Sequence, residues 1–357
     1  MNAMAMIPPG ATIGILGGGQ LGRMLALAAA AMGYRVHVLA PEAELPAGDV
    51  AAEVTRAAYD DLAALDRFAA SVDVVTFEFE NIDVAAIRHL ASRRPMRPGA
   101  ASLEVAQDRL AEKTFVTGLG GRPVAFRAVN SRADLDAAIA VLGCPAVLKT
   151  RRLGYDGKGQ ARITSAADAD AAWAALGGQP AVLEAWVTYT HEFSVVLARG
   201  IDGEIAIWPV PHNVHIGGVL DTSRVPAPAQ VLAQTGEAEA LAKKVAEALG
   251  HVGVLTLEFF ACADGPRFNE MAPRVHNSGH WTIEGARASQ FENHIWAVCG
   301  VPFGSTEMTA PEVLMKNLLG DDVHDWHDIL ADRRAHLHLY GKSEVKPGRK
   351  MGHVTWL

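Results

Sequence analysis

An apolar run, Ala11–Leu16, empties directly into Gly17-Gly18-Gly19-Gln20-Leu21-Gly22. A strand that ends in G-x-G-x-x-G and passes into a helix commits the chain to a tight βα turn, with exposed backbone N–H groups at the helix N-terminus. The spacing predicts a helix over Gln20–Met32 closed by Gly33 and strands over Tyr34–Ala40 and Val72–Phe79. A second helix is predicted over Ile82–Ser92, before Pro95 and Pro98 interrupt regular structure. Strands alternating with helices imply a doubly wound parallel sheet. At the glycine turn three occupants are compatible with the residues: a dinucleotide, a phosphate-bearing substrate, or none, the turn being structural. A dinucleotide site wants an acidic residue at the end of the second strand, where this chain has Ala40-Pro41.

The middle of the chain changes rhythm. Helical patterns over Asp108–Thr117, Ser131–Leu142 and Gly236–Leu249 alternate with strand runs Pro145–Thr150, Gln160–Ile163, Ala181–Val187, Glu192–Arg199, Glu204–Val210, Val252–Phe260 and Pro266–Met271, a mostly antiparallel α+β block. Its most informative stretch is Leu148-Lys149-Thr150 followed by Arg151–Gln160. A lysine at the end of a buried strand needs an anionic partner. The loop behind it, with Gly154, Gly157, Gly159 and Lys158, offers backbone N–H groups and positive charge as a movable lid over a polyphosphate. No G-K-[ST] opens a helix, so this is not a Walker A loop. The loop is expected to be mobile over Tyr155–Gly159 without nucleotide.

Glu258 and Glu270 interrupt two apolar strands around Asp264-Gly265. Paired carboxylates beside a polyphosphate loop are the oxygen ligands Mg²⁺ takes. They fall opposite one another if the turn is centred on Asp264; a one-residue slip sends them to opposite faces. Immediately after come Arg274, His276 and Asn277, donors suited to a small oxyanion. Glu184 and Glu192 could accept from an adenine amino group or ribose hydroxyls. The terminal segment Tyr340–His353 is basic and carries turn glycines, either a solvated tail or a ribose-phosphate clamp.

Composition removes other classes. Of 357 residues 50% are hydrophobic and 20% charged, enough for roughly two or three packed domains. A net charge of -8 disfavours general binding of nucleic acid or anionic membrane. Cys144, Cys262 and Cys299 are scattered without zinc spacing and read as buried, reduced thiols of a cytoplasmic protein. Met1–Gly10 lacks a signal peptide's basic region, and the longest apolar stretch, Met24–Met32, is about half of a membrane span.

Together these residues resemble the ATP-grasp superfamily, with its preceding α/β domain, lysine strand, glycine-rich lid and Glu…Asn-Glu hairpin. Within it, Gly17–Met24, Thr76-Phe77-Glu78-Phe79-Glu80-Asn81, Gly154–Gln160, Pro273–Trp281 and Pro347–His353 resemble the 5-(carboxyamino)imidazole ribonucleotide synthetase family, from about Ala11 to Leu357. The resemblance implies a Rossmann-like domain over 1–106, an ATP-grasp domain over 107–299 with a lid at about 124–187, and a small C-terminal domain over 300–357. It implies ATP, bicarbonate and 5-aminoimidazole ribonucleotide as substrates, carboxyphosphate as intermediate, and a cytoplasmic homodimer of purine biosynthesis. ATP would be surrounded by Arg109, Lys149, Gly154, Tyr155, Asp156, Gly157, Lys158, Gly159, Gln160, Glu184, Ala185, Trp186, Val187, Glu192, His215, Asn269 and Glu270. Mg²⁺ would be held by Glu258 and Glu270. Arg274, His276 and Asn277 would meet bicarbonate or carboxyphosphate. Gln20, Glu78, Tyr155, Asp156, Lys342 and Arg349 would bind the ribonucleotide, the last two at its phosphate. One departure is His212, where the family usually shows Glu. The rival readings are another ATP-grasp carboxylate–amine ligase, such as a formate-using purine transformylase or a biotin carboxylase, a nicotinamide-dependent oxidoreductase, and a non-catalytic nucleotide-binding module.

Overall fold

The computed structural model describes residues 6–154 and 158–357. A four-stranded parallel sheet opens the chain, in the order Glu53–Arg56, Arg35–Ala40, Thr12–Leu16, Val74–Phe77. Its first strand and the glycine turn stand where the spacing places them. The edge strand Glu53–Arg56 and the helix Leu62–Ser71 are additions that the periodicity did not reveal. The glycine turn itself departs from the phosphate reading. The N–H groups of Gly19 and Gly22 donate to the Glu78 carboxylate at 2.8 and 3.2 Å. Gly17, at φ +100°, leaves no room for a side chain: a Cβ there would lie 2.7 Å from Glu78 Cγ. The helix N-terminus is thus satisfied by a carboxylate of the protein.

A four-stranded antiparallel sheet, ordered Phe126–Val129, Ala181–Ala185, Ala146–Thr150, Gln160–Ile163, stands over a nine-stranded one. In the large sheet the strand His191–Arg199 is covered on both sides. Val196 and Ala198 pack with Ile295 and Val298 of the helix Gln290–Cys299, while Val195 and Leu197 pack with Ala238, Ala242 and Val245 of the helix Thr235–Ala248. Burial of both faces explains its continuous apolar run. The helix Gln290–Cys299 shares its cluster with Leu25 and Ala29 of the first helix, which ties the opening sheet to the large one. The C-terminal strands Val313–Leu319, Lys350–Trp356 and Ala335–Leu339 extend the large sheet, entering it beside Val219–Val225. This carries the basic segment 341–349 back over the glycine turn. Cys262 and Cys299 are buried, but Cys144 is exposed just before Ala146–Thr150, a correction to its reading as a core thiol.

Two buried histidines pin these layers. His294 Nδ1 accepts from the Val254 N–H at 3.0 Å, leaving Nε2–H for Thr76 Oγ1 at 2.9 Å. His251 Nε2 donates to the Val254 carbonyl at 3.0 Å and Nδ1 meets Ser102 Oγ at 2.9 Å. Burial lowers their pKa values to about 3 and about 4. Unfolded histidines take up protons below about pH 6.5, whereas these remain neutral in the fold. Their contribution is therefore complete above about pH 6.5 and is lost as pH falls toward 4. The melting temperature should drop between pH 7 and pH 5, and His294→Gln should flatten that slope. An identical slope in the variant would remove His294 from the account.

Candidate active site

The opening sheet, the lid sheet and the large sheet enclose one cleft with two chambers. The first, about 740 Å³, is lined by Gln20, Glu78, Glu80, Gly154, Arg274, Lys342 and Arg349 among others. The second, about 610 Å³, is lined by Lys149, Gln160, Glu184, Ala185, Trp186, Val187, Glu192, His215 and Asn269 among others. Arg109, Lys158, Glu258, Glu270, His276, Asn277 and Lys350 belong to the walls of both, so the chambers meet at the carboxylate hairpin. Gly159 (φ +70°) lies against Thr150, whose N–H donates to its carbonyl at 2.8 Å. Tyr155, Asp156 and Gly157, and with them most of the segment expected to be mobile, lie outside the described residues.

Glu258 and Glu270 pair across the hairpin, but not through the turn that the sequence suggested. The strands close at Cys262↔Gly265, a two-residue turn that alone would send the carboxylates to opposite faces. A β-bulge between Glu258 and Phe259 corrects this: Phe259 pairs with Phe268 and Glu258 with Glu270, leaving Asn269 as the extra residue. Burial, and then the neighbouring charge of Glu270, raise the Glu258 carboxyl to about 7. His276 Nδ1 accepts from the Ser278 N–H at 3.3 Å, so its proton sits on Nε2, 3.2 Å from Glu258 Oε1. Burial, then the charges of Arg274 and Lys350, hold His276 neutral. Both amide atoms of Asn277 are buried without a hydrogen-bond partner, as is Asn269 Oδ1, polar atoms that a bound ligand could satisfy.

Lys149 finds its anion inside the protein. It meets Glu184 at 2.8 Å, and the other Glu184 oxygen meets Lys113 at 3.0 Å. Burial alone would raise the Glu184 carboxyl; the two lysines hold it down to about 2. Glu192 pairs with His215, and Tyr189 donates to Glu192 at 2.6 Å. His212 turns edge-on to His191, ring centroids 4.9 Å apart. The Arg162 guanidinium lies 4.3 Å over the Trp186 ring.

In the first chamber Arg274 is gripped by Glu80 through Nε and through Nη2 at 2.9 Å, and its Nη1 donates to the Val275 carbonyl at 3.0 Å. Arg274 lines the first chamber beside His276 and Asn277. Lys342 donates to the Lys350 carbonyl at 2.7 Å; burial, then the charges of Arg349 and Lys350, lower its pKa to about 8. Arg349 meets Glu44 at 2.8 Å, and the Ser343 N–H also donates to Glu44.

Three known domain families match successive stretches of the chain. A ribonucleotide synthetase preATP-grasp domain matches residues 10–107, an ATP-grasp domain 115–291, and a phosphoribosylaminoimidazole carboxylase C-terminal domain 313–357. The N5-carboxyaminoimidazole ribonucleotide synthase of Brucella melitensis is 49% identical over 353 residues, 98% of this chain and 97% of that protein. The chain belongs to the N5-carboxyaminoimidazole ribonucleotide synthetase family. Its Pseudomonas aeruginosa member is 46% identical over 345 residues, 96% and 93% of the two chains. A crystal structure of an ADP complex of a family member superposes with TM-score 0.94 at 42% identity, covering 99% and 94%. The Aspergillus clavatus enzyme in complex with ADP and 5-aminoimidazole ribonucleotide superposes with TM-score 0.89 at 31% identity, covering 97% and 93%. The resemblance read from the motifs and the ATP-grasp fold class are both upheld.

Several residues in or near the cleft drew no reading from the sequence. Glu80 stands in Thr76–Asn81, two residues beyond Glu78, and could have been found from that alternation. Lys346 and Lys350 were inside the basic segment. Glu44, Glu112 and Lys113 carried no local signal.

Proposed function

We propose that this chain carboxylates 5-aminoimidazole ribonucleotide with bicarbonate at the expense of ATP, releasing N5-carboxyaminoimidazole ribonucleotide, ADP and phosphate. The observation that carries the reading is the meeting of the two chambers at Glu258, Glu270, His276 and Asn277. A nucleotide in the lid chamber and a ribonucleotide in the first can then present their reactive ends to one another.

Bicarbonate is a poor electrophile. Phosphorylation makes it carboxyphosphate, and the exocyclic amine attacks that species or the CO₂ it releases. The protein's part is positioning and charge neutralisation. Lys149, Arg109 and Lys158 face the phosphates, with Gly154, Gly159 and Gln160 at the loop ends; Glu184–Val187, Glu192 and His215 hold the adenosine end. The Arg274 guanidinium, Asn277 and the neutral His276 imidazole hold the bicarbonate-derived oxyanion. Gln20, Glu78, Lys342 and Arg349 receive the ribonucleotide, a set that the family resemblance extends to Tyr155 and Asp156; the acyl phosphate must be kept from water. Among the described residues no cluster of three metal-binding side chains occurs. The opposed carboxylates of Glu258 and Glu270 fit Mg²⁺ and would hold it, with further oxygen ligands coming from phosphate and water. When bound it would neutralise charge on the transferred phosphoryl group.

The family resemblance further supports a cytoplasmic homodimer and the boundaries 1–106, 107–299 and 300–357. No helix among the described residues is long and apolar enough to cross a membrane. The reading is tested by ADP release with ATP, bicarbonate and aminoimidazole ribonucleotide omitted in turn. Full ADP release without the ribonucleotide, or carboxylation of a different amine, would replace it with another ATP-grasp ligase.

A further inference from the structure

The strand Gly265–Ala272 is the edge of the large sheet, so alternate backbone groups on its outer side lack a partner strand. The segment 122–124 covers the beginning: Phe268 N–H donates to the Arg122 carbonyl at 2.9 Å, and the Phe268 carbonyl accepts from Val124 at 3.1 Å. Beyond the bulge, two consecutive side chains of the helix Arg109–Gly118 take over. Lys113 Nζ donates to the Asn269 carbonyl at 2.8 Å, and Glu112 Oε1 accepts the Met271 N–H at 2.6 Å. These are the peptide groups immediately before and after Glu270. Both side chains are buried, at 1% and 2% exposure. Lys113 also holds Glu184, which holds Lys149.

Uncharged groups would satisfy two peptides at a smaller desolvation cost than a buried lysine and a buried carboxyl. What the lysine adds is reach. One ammonium joins the hairpin that presents Glu270 to the lid strand that presents Glu184, and through it to Lys149. We propose that Glu112 and Lys113 form a clamp that positions Glu270 and Lys149 for the nucleotide phosphates. They are positioning residues: Glu112 acts through the Met271 peptide, Lys113 through the Asn269 peptide and Glu184. This rests on the reading that Glu270 and Lys149 serve ATP.

The test is steady-state kinetics of the full chain, titrating ATP, Mg²⁺ and aminoimidazole ribonucleotide separately. Lys113→Met should raise KM for ATP and the Mg²⁺ needed for half-maximal rate by about tenfold or more, with KM for the ribonucleotide within about twofold of the parent. Glu112→Leu should behave alike. Glu112→Gln keeps an oxygen for the Met271 N–H and should stay within about threefold of the parent in every constant. A lower melting temperature with unchanged KM for ATP in Lys113→Met would reduce the clamp to a structural contact. Glu112→Gln as damaged as Glu112→Leu would make Glu112 a charge in the site, not a positioning group. Should Lys113→Met and Glu112→Leu fail to fold, Glu112→Gln alone decides: near-parental KM for ATP supports the clamp, and about a tenfold rise overturns it. ATP use by the parent independent of the ribonucleotide would be a failure of the functional reading instead, visible before any variant is made.

Discussion

Glu270→Ala should lose at least about a hundred- to a thousandfold in ADP release while the protein still folds, the scale expected when one preorganised charge is removed from a phosphoryl-transfer site. Two physical arguments separate activity from stability here. Glu270 stands opposite Glu258, and burial plus the neighbouring Glu270 charge already push Glu258 up to about 7. Without phosphates the two carboxylates repel, so removing one relieves strain in the free protein. Its ion partner Arg109 lies 3.7 Å away and only 18% exposed, and keeps the Gly154 carbonyl at 3.3 Å as an acceptor. The melting temperature should therefore hold or rise slightly. With ATP bound the balance reverses, because two opposed carboxylates are the minimum this hairpin offers a divalent cation. ADP release is measured at saturating substrates over a range of Mg²⁺. Near-parental turnover at ordinary Mg²⁺ would show that Glu270 is not a metal ligand.

Much of the three sheets and several of the cleft's charged residues could be read from local pattern, because the residues concerned break a pattern. Lys149 interrupts a buried strand, Glu258 and Glu270 interrupt two more, and glycines mark each close approach. The failures have a common physical origin in tertiary geometry. The opposition of Glu258 and Glu270 was counted from the turn, but it depends on Asn269 bulging out of a strand whose own sequence shows nothing unusual. Lys113, on an ordinary amphipathic helix, looks like a solvated charge until the helix is laid against a sheet edge. The strands His212–Ile216 and Val219–Val225 mix polar and apolar residues and have two glycines between them, so they lack the apolar alternation of a half-buried hairpin. The helix Gln290–Cys299 was missed for the opposite reason. It is buried on nearly every side, so it shows no polar face, and its start is marked by the Ser289–Glu292 capping box. Glu78 was placed at the ribonucleotide from resemblance; that it also caps the glycine turn required knowing where the fourth strand of the sheet ends.

Arg349→Ala should raise KM for aminoimidazole ribonucleotide by about ten- to a hundredfold and leave KM for ATP nearly unchanged, the loss expected for one charge-assisted contact to a phosphate. Arg349 stands in the first chamber with Lys342 and Lys346, away from Lys149 and Glu184 in the second. In the free protein it is not idle: Nη2 meets Glu44 at 2.8 Å and Nη1 donates to the Glu344 carbonyl at 2.6 Å. A ribonucleotide phosphate must share the guanidinium with Glu44 or displace it, and that exchange places the effect toward the lower end of the range. Glu44 also takes the Ser343 N–H, and this bond first, then the contact with Arg349, hold its carboxyl down to about 2. It therefore stays ionised and keeps the segment in place after Arg349 is removed, so the variant should fold. The phosphate is remote from the reacting amine, yet binding energy realised there can be used to orient the amine, and part of the loss should appear in kcat. Lys149→Ala is the control, because it should weaken ATP and spare the ribonucleotide. If Arg349→Ala instead shifts the ATP dependence and leaves the ribonucleotide untouched, the phosphate lies elsewhere in the cleft, and the Arg349–Glu44 pair is only a fastening between the C-terminal segment and the first domain.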